Sequence, residues 1–199
     1  MVNGFSHAHK PLRVPNAHNP GGKQQFRLAH GVIGWCSYAG ERMQYRPMLG
    51  RAWGGAARAL EPENHPYLLS IGLNPSTAGH DVDDPTIRIE TGLAKRLGYE
   101  VLIKTNLVDF RCTDPKELKP YQKDLISPEN EEIVFRYAKG ARTVLLTWGN
   151  VPRFLQSVEA RMLARLRTVA IPLKCLGRTK SNSPRHPLRF KLPDELLEF

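Results

Sequence analysis

Cysteine is scarce in this 199-residue chain: Cys36, Cys112 and Cys175 stand far apart, and no Cys-x-x-Cys pair occurs. A structural zinc site or a four-cysteine iron–sulfur cluster therefore has no ligand set, and neither metal nor cofactor is expected. Isolated buried thiols in a reducing compartment fit all three. No apolar run approaches the roughly 18 residues of a membrane span. No basic-then-apolar N-terminal segment resembles a signal peptide. The expectation is a soluble cytoplasmic protein, a monomer, with no membrane partner. Neither Gly-x-x-x-x-Gly-Lys-Ser/Thr nor Gly-x-Gly-x-x-Gly is present, which excludes the phosphate-cradling loops those patterns mark. There is no internal repeat. Acidic residues are also short: 19 Asp and Glu face 29 Lys and Arg, for a net charge of +10.

Hydrophobic residues make up 41% and charged residues 24%, which is enough for one ordinary globular core. The charge is uneven. Residues 1–60 carry +7, residues 61–140 carry −4 and residues 141–199 carry +7. Such a balance favours a polyanionic partner, nucleic acid or a nucleotide, with DNA ahead of RNA. Residues 1–25, with Pro11, Pro15, Pro20, Gly21, Gly22 and the irregularly spaced His7, His9 and His18, read as a flexible basic tail. Residues 26–199 then form one domain.

Residues 32–38 and 43–49 read as a hairpin, with Pro47 placing its second strand at an edge. From residue 67 strands and helices alternate. Strands are expected over 67–73, 101–107, 143–147 and 169–176, with Pro172 near an edge. Asp84-Pro85, Asp114-Pro115 and Ser127-Pro128 each combine a cap with a helix-starting proline. Ile89, Leu93 and Leu97 form one apolar stripe, and Gly98 ends that helix. A last helix covers about 152–166. The pattern predicts an α/β fold in three αβα layers, with a mainly parallel four-stranded central sheet plus an N-terminal edge hairpin.

Unusual polar residues follow every strand of that sheet, at the edge where open parallel sheets bind ligands. Gly72 leads into Asn74-Pro75-Ser76-Thr77, whose Asn can hold a water or a sugar hydroxyl, or can simply make an Asx turn. Asn106 ends the second strand. Trp148 and Asn150 follow the third; Trp148 either stacks on a base or belongs to the core. The fourth strand runs into a polar loop with Ser183 and His186, where the imidazole can polarise a carbonyl or stabilise a leaving anion, or is simply a solvated loop histidine. Arg178, Lys180, Arg185 and Arg189 suit phosphates, as do Arg46 and Arg51 on the hairpin unless they only protect a wet edge. Asp84 reads as a helix cap, while Asp83 is open to a role in activating water.

Several of these segments carry a resemblance. Leu73-Asn74-Pro75-Ser76-Thr77-Ala78, Asp83-Asp84-Pro85-Thr86-Ile87-Arg88, Thr105-Asn106-Leu107, Trp148-Gly149 and Pro184-Arg185-His186-Pro187-Leu188 together resemble the family catalogued as domain of unknown function 1643. The order of motifs is more distantly similar to the uracil-DNA glycosylase superfamily, whose mismatch-specific branch has the form of Gly72-Leu73-Asn74-Pro75. In that comparison Asn106 matches an asparagine that reads the base, and His186-Pro187 matches a loop whose histidine stabilises the departing base. The first motif lacks the aspartate that many members use for water. Leu188 or Arg189 would be the wedge that enters the duplex.

The resemblance implies a DNA glycosylase-like hydrolase acting on, or recognising, the N-glycosidic bond of a damaged or modified base. Asn74, Asp83 and His186 would be catalytic. Gly72, Pro75, Ser76, Thr77, Asn106, Trp148, Asn150 and Ser183 would bind substrate. Two other readings stay open: an enzyme of free nucleosides or nucleotides, or one exchanging a modified base, and a nucleic-acid binder with the same fold and no turnover.

Overall fold

The short apolar runs become strands, joined in order by helices. The computed structural model describes residues 25–189, 192–193 and 195–199. Its strands are β1 (Phe26–Arg27), β2 (Ile33–Ala39), β3 (Tyr45–Ala52), β4 (Tyr67–Gly72), β5 (Val82–Asp83), β6 (Val101–Asn106), β7 (Thr143–Leu146), β8 (Leu173–Cys175) and β9 (Leu197–Glu198). The α-helices are α1 (Pro85–Arg96), α2 (Asn130–Gly140) and α3 (Gln156–Leu166). Except for Gln25, whose Nε2 donates to the Thr77 carbonyl at 3.3 Å, the expected tail lies outside the described residues.

The main sheet has seven strands in the order β2-β3-β6-β4-β7-β8-β9. β6, β4, β7 and β8 run parallel to one another. The hairpin β2-β3 joins antiparallel on one flank and β9 on the other. The expected four-stranded sheet is therefore corrected to a mixed seven-stranded one. β9 spans only two residues, too short for a periodic signal.

Alternate strand residues serve opposite faces, because side chains in a strand alternate sides. Leu68, Leu102 and Leu145 pack with Leu93 and Ala94 of α1. Leu69, Ile71, Ile103, Val144 and Leu146 pack with α2 and α3 on the other face. Helices thus cover both faces.

Local capping follows the sequence in part. Asp84 Oδ1 accepts the Ile87 N–H at 2.9 Å, and Pro85 opens α1. The buried face of α1 is Ile87, Glu90, Thr91, Leu93 and Ala94 rather than the expected stripe, and it contains a carboxylate. Asp114 accepts the Lys116 N–H at 3.0 Å at the start of a 3-10 helix over Pro115–Tyr121. Ser127 does not cap α2. Its hydroxyl donates to Asp109 Oδ2 at 2.5 Å instead.

The expectation that Pro47 marks an edge strand fails for a local reason. β3 is an inner strand, paired on both sides. A bulge sets Arg46 and Pro47 opposite Tyr38, and the ladder to β6 begins only at Leu49, so the missing N–H of Pro47 is not needed. Pro172 precedes β8, which lies near an edge as expected, next to the two-residue edge strand β9. No helix among the described residues is long and apolar enough to cross a membrane.

Candidate functional site

β4 lies between β6 and β7, so the chain leaves β4 for one neighbour and later returns to the other. That reversal opens a crevice at the carboxyl ends of the strands. A cavity of about 890 Å³ occupies this place. Asn74, Asn106 and His186, which come from distant parts of the chain, all line it. Gly72, Ser76, Trp148, Asn150, Arg46 and Arg185 line it too, as does Leu188.

Each polar group is set by its element. The Asn74 Nδ2 donates to the Cys112 carbonyl at 2.7 Å and to the Pro75 carbonyl at 3.1 Å. With its Nδ2 engaged twice, the remaining polar atom of the carboxamide is the acceptor Oδ1. Asn106 is 2% exposed, and its Nδ2 has no partner among the described residues. It ends β6 and so presents an unsatisfied donor. Gly72 makes room for it: a Cβ there would stand 2.8 Å from Asn106 Oδ1 and 2.9 Å from Lys104 Nζ.

His186 sits at the end of a small loop that folds on itself. Arg185 N–H donates to the Gly177 carbonyl at 2.9 Å, and Gly149 N–H donates to the Pro184 carbonyl at 2.9 Å. Gly149 has φ +72°, and a Cβ on it would meet His186 Cβ at 3.4 Å. Leu188 N–H donates to His186 Nδ1 at 3.3 Å. A neutral imidazole so held carries its proton on Nε2, as a donor.

Trp148 is 2% exposed, donates its Nε1–H to Glu159 at 2.7 Å and meets Phe199 edge-on, so it is a core residue that reaches the cavity wall. Asn150 accepts from the Ser181 hydroxyl at 3.1 Å.

Other expected residues lie elsewhere. Asp83 accepts from Arg51 Nε at 2.8 Å and pairs with Phe26 across the β1–β5 ladder; it does not line this cavity. Arg51 has no exposed surface, and its remaining hydrogen bonds go to the carbonyls of Gly50, Gly79 and Val82. It ties loop to sheet and is no phosphate contact. Its side chain is buried because β3 is not an edge. Pro75 and Thr77 are buried behind the cavity-lining Asn74 and Ser76. Ser183, Arg178 and Lys180 belong to the self-closed loop and not to the cavity wall. Arg178 lies over the Phe199 ring at 4.3 Å, and Lys180 is exposed. The Arg189 side chain lies outside the described part of the chain.

The site also holds residues that the sequence did not single out. Asp84, expected only to cap α1, lines the cavity and is the neighbour of the displaced candidate Asp83. Lys104 lines the floor, where it donates to Glu90 Oε1 at 2.7 Å. A lysine inside an apolar strand, and a glutamate three residues from both Ile87 and Leu93, were the available signals. Arg111, next in the chain to the cavity-lining Cys112 but not itself in the wall, is 3% exposed; burial lowers its guanidinium from the ordinary value. It lies 5.2 Å from the centre of the Tyr38 ring. Burial, with Cys36 beside it, pushes the Tyr38 phenol up to about 12. Among the described residues, no group of three or more His, Cys, Asp or Glu is placed to hold a metal ion.

The family described as "Protein of unknown function (DUF1643)" matches residues 46–188, which span the hairpin strand β3 through the His186 loop. No curated protein and no solved structure matches the chain.

Proposed function

This chain belongs to the DUF1643 family, and from its cavity together with the resemblance of its motifs to the uracil-DNA glycosylase superfamily we propose that it binds a nucleotide base at the carboxyl end of its parallel strands and hydrolyses, or at least recognises, the N-glycosidic bond of a damaged or modified base in DNA. One observation carries the proposal: the acceptor of Asn74, the unsatisfied donor of Asn106 and the imidazole of His186 line the same cavity.

Hydrolysis breaks the C1′–N bond, and its electron pair leaves with the base. The His186 Nε2–H donates to the anion that forms, an interaction stronger in the transition state than before it. Water forms the new bond to C1′, positioned by Asn74 Oδ1, and Asp84 takes its proton. Asn106 donates to an acceptor on the base edge. Leu188, 44% exposed at the cavity mouth, is the apolar side chain placed to fill the gap left by a flipped nucleotide. Arg185 on the same rim supplies phosphate contact.

The test is a panel of oligonucleotides carrying uracil, hydroxymethyluracil, mispaired and hypermodified bases, scored for abasic sites and for binding across salt. Base release from one of them, reduced about 10²–10³-fold by His186→Ala, is the expected result. A steep salt slope assigns the substrate to a strand and a shallow one to a free nucleotide. Binding without abasic sites assigns recognition without turnover. If no oligonucleotide or nucleotide is bound, the proposal fails.

A further inference from the structure

We infer that Arg46, in the cavity wall, and Arg111, buried next in the chain to the wall residue Cys112 but outside the wall itself, form a phosphate subsite at one side of the cavity, so that the ligand enters as a nucleotide with its phosphate inside, not as a bare base or nucleoside. The remainder of that ligand rests on the base-binding reading above; the subsite rests on four independent features.

Charge comes first. Arg46 and Arg111 are 2% and 3% exposed. They flank the bridge between Tyr45 and Phe110: Arg46 N–H donates to the Asp109 carbonyl and Arg111 N–H to the Gln44 carbonyl, each at 2.8 Å. They lie close enough for Arg46 to disfavour the charge on Arg111. Neither makes an ion pair with a carboxylate among the described residues, whereas the third buried arginine, Arg51, has Asp83. Taking a charge out of water is costly unless an opposite charge meets it.

Nearby groups do not supply that charge. The phenol of Tyr38, with its pKa raised to about 12, stays neutral at ordinary pH. Asp84 and Asp114 line the cavity, and among the described residues neither forms an ion pair with Arg46 or Arg111.

Unused hydrogen-bonding capacity gathers in the same place. Arg46 Nη1 donates to the Ala78 carbonyl, and Arg111 Nη1 to the Met43 carbonyl at 3.3 Å. Arg111 Nε, Ser76 Oγ, Thr77 Oγ1 and Tyr38 Oη are buried with no partner among the described residues. Ser76 and Arg46 line the cavity wall. Two guanidinium forks and a hydroxyl match the several acceptor oxygens of a phosphate.

Size and outlook agree. About 890 Å³ lies in the upper part of the range for small-molecule sites and leaves space beyond a single flat ring. Lys116 and Lys119 line the same cavity and add positive charge to it.

The shared chemistry is a phosphate ester, either the 5′-monoester of a free nucleotide or a diester within a strand. The test starts with the full chain and inorganic phosphate against chloride at matched ionic strength, read as Tm. Phosphate should raise Tm saturably. Deoxyuridine, its 5′-monophosphate and a short uracil-containing oligonucleotide are then titrated. At least one phosphate-bearing ligand should bind ten-fold or more tightly than the nucleoside. Arg111→Met should abolish this preference and Arg111→Lys should keep part of it. If Arg111→Met does not fold, the wild-type titrations and Arg111→Lys decide. Preference for the monophosphate identifies a free nucleotide, and preference for the oligonucleotide identifies a strand.

No phosphate-specific rise in Tm, together with equal affinity for nucleoside and phosphorylated ligands, overturns the subsite. Phosphate preference without base release leaves the subsite standing and removes only the hydrolytic reading. Base release that is indifferent to Arg111 does the reverse.

Discussion

Lys104 Nζ lies 2.7 Å from Glu90 Oε1, with side-chain exposures of 6% and 0%. Ser70 Oγ and Thr147 Oγ1 lie 3.1 and 3.0 Å from the same ammonium. One charge pair therefore joins β4, β6, the end of β7 and α1 at the cavity floor. Glu90 Oε2 has no hydrogen-bond partner among the described residues, so the pair is held on one side only.

Removing the negative half should be far worse than removing both halves. Glu90→Gln is expected to cost about 3–5 kcal/mol, because Lys104 stays buried without its counter-charge. Glu90→Leu combined with Lys104→Met should recover most of that loss. Urea denaturation of the single and double variants measures the coupling, and a double variant as unstable as the summed singles refutes it.

The adjacent aspartates should separate cleanly. Asn caps helices about as well as Asp, so Asp84→Asn should change stability by about 0.5 kcal/mol or less while reducing base release at least ten-fold. Asp83→Asn should do the opposite. It weakens the Arg51 tie and lowers stability, and the folded fraction keeps its ligand affinity. Denaturation curves and ligand titrations on the same two variants check both halves.

Gly72→Ala should damage the site through space alone. Its Cβ would press on Asn106 and on Lys104, and Lys104 is pinned by Glu90 and cannot swing away. Overpacking of this kind costs about 1–3 kcal/mol. Ligand affinity should fall ten-fold or more, and isothermal titration reads it. Wild-type affinity would show that the Asn106 carboxamide has another position available.

Alkaline pH should expose Tyr67. Burial pushes its phenol up to about 12 from an ordinary 10, and its hydroxyl donates to the Tyr137 carbonyl at 2.7 Å. Below pH 10 folded and unfolded chains both hold the proton. Between 10 and about 12 the unfolded chain has lost it and the folded chain has not, so stability falls as pH rises through that window. Tyr67→Phe should be less stable at pH 8 and decline less steeply above pH 10. Denaturation midpoints, with tyrosinate absorbance followed in parallel, measure both effects.

Much of the frame was readable because it rests on local rules. Asp84-Pro85 does open α1, and the apolar runs at 67–73, 101–107 and 143–147 are strands. Asn74, Asn106 and His186 were expected on one rim because each stands at or beyond the carboxyl end of a strand, and all three line the same cavity. What escaped depends on pairing between distant segments. The bulge that admits Pro47 to an inner strand is a property of two strands together. Arg51 looked like a surface cation until β6 covered β3. Asp83 and Asp84 are adjacent in sequence, and only the β1–β5 ladder decides which of them turns from the cavity.

The loop carrying His186 closes on itself through Thr179 N–H to Ser183, Asn182 N–H to Thr179 and Arg185 N–H to Gly177, and the Gly149 N–H to Pro184 bond anchors it to the end of β7. Such a segment behaves as an exchangeable cassette. Its length and charge can change without disturbing the register of the sheet, because its hydrogen bonds close within the loop and at one strand end. Asn106 and Lys104 lack that freedom, since altering either one disturbs the packed floor. Engineered changes of specificity are therefore best placed in the cassette, with the floor left intact beneath it.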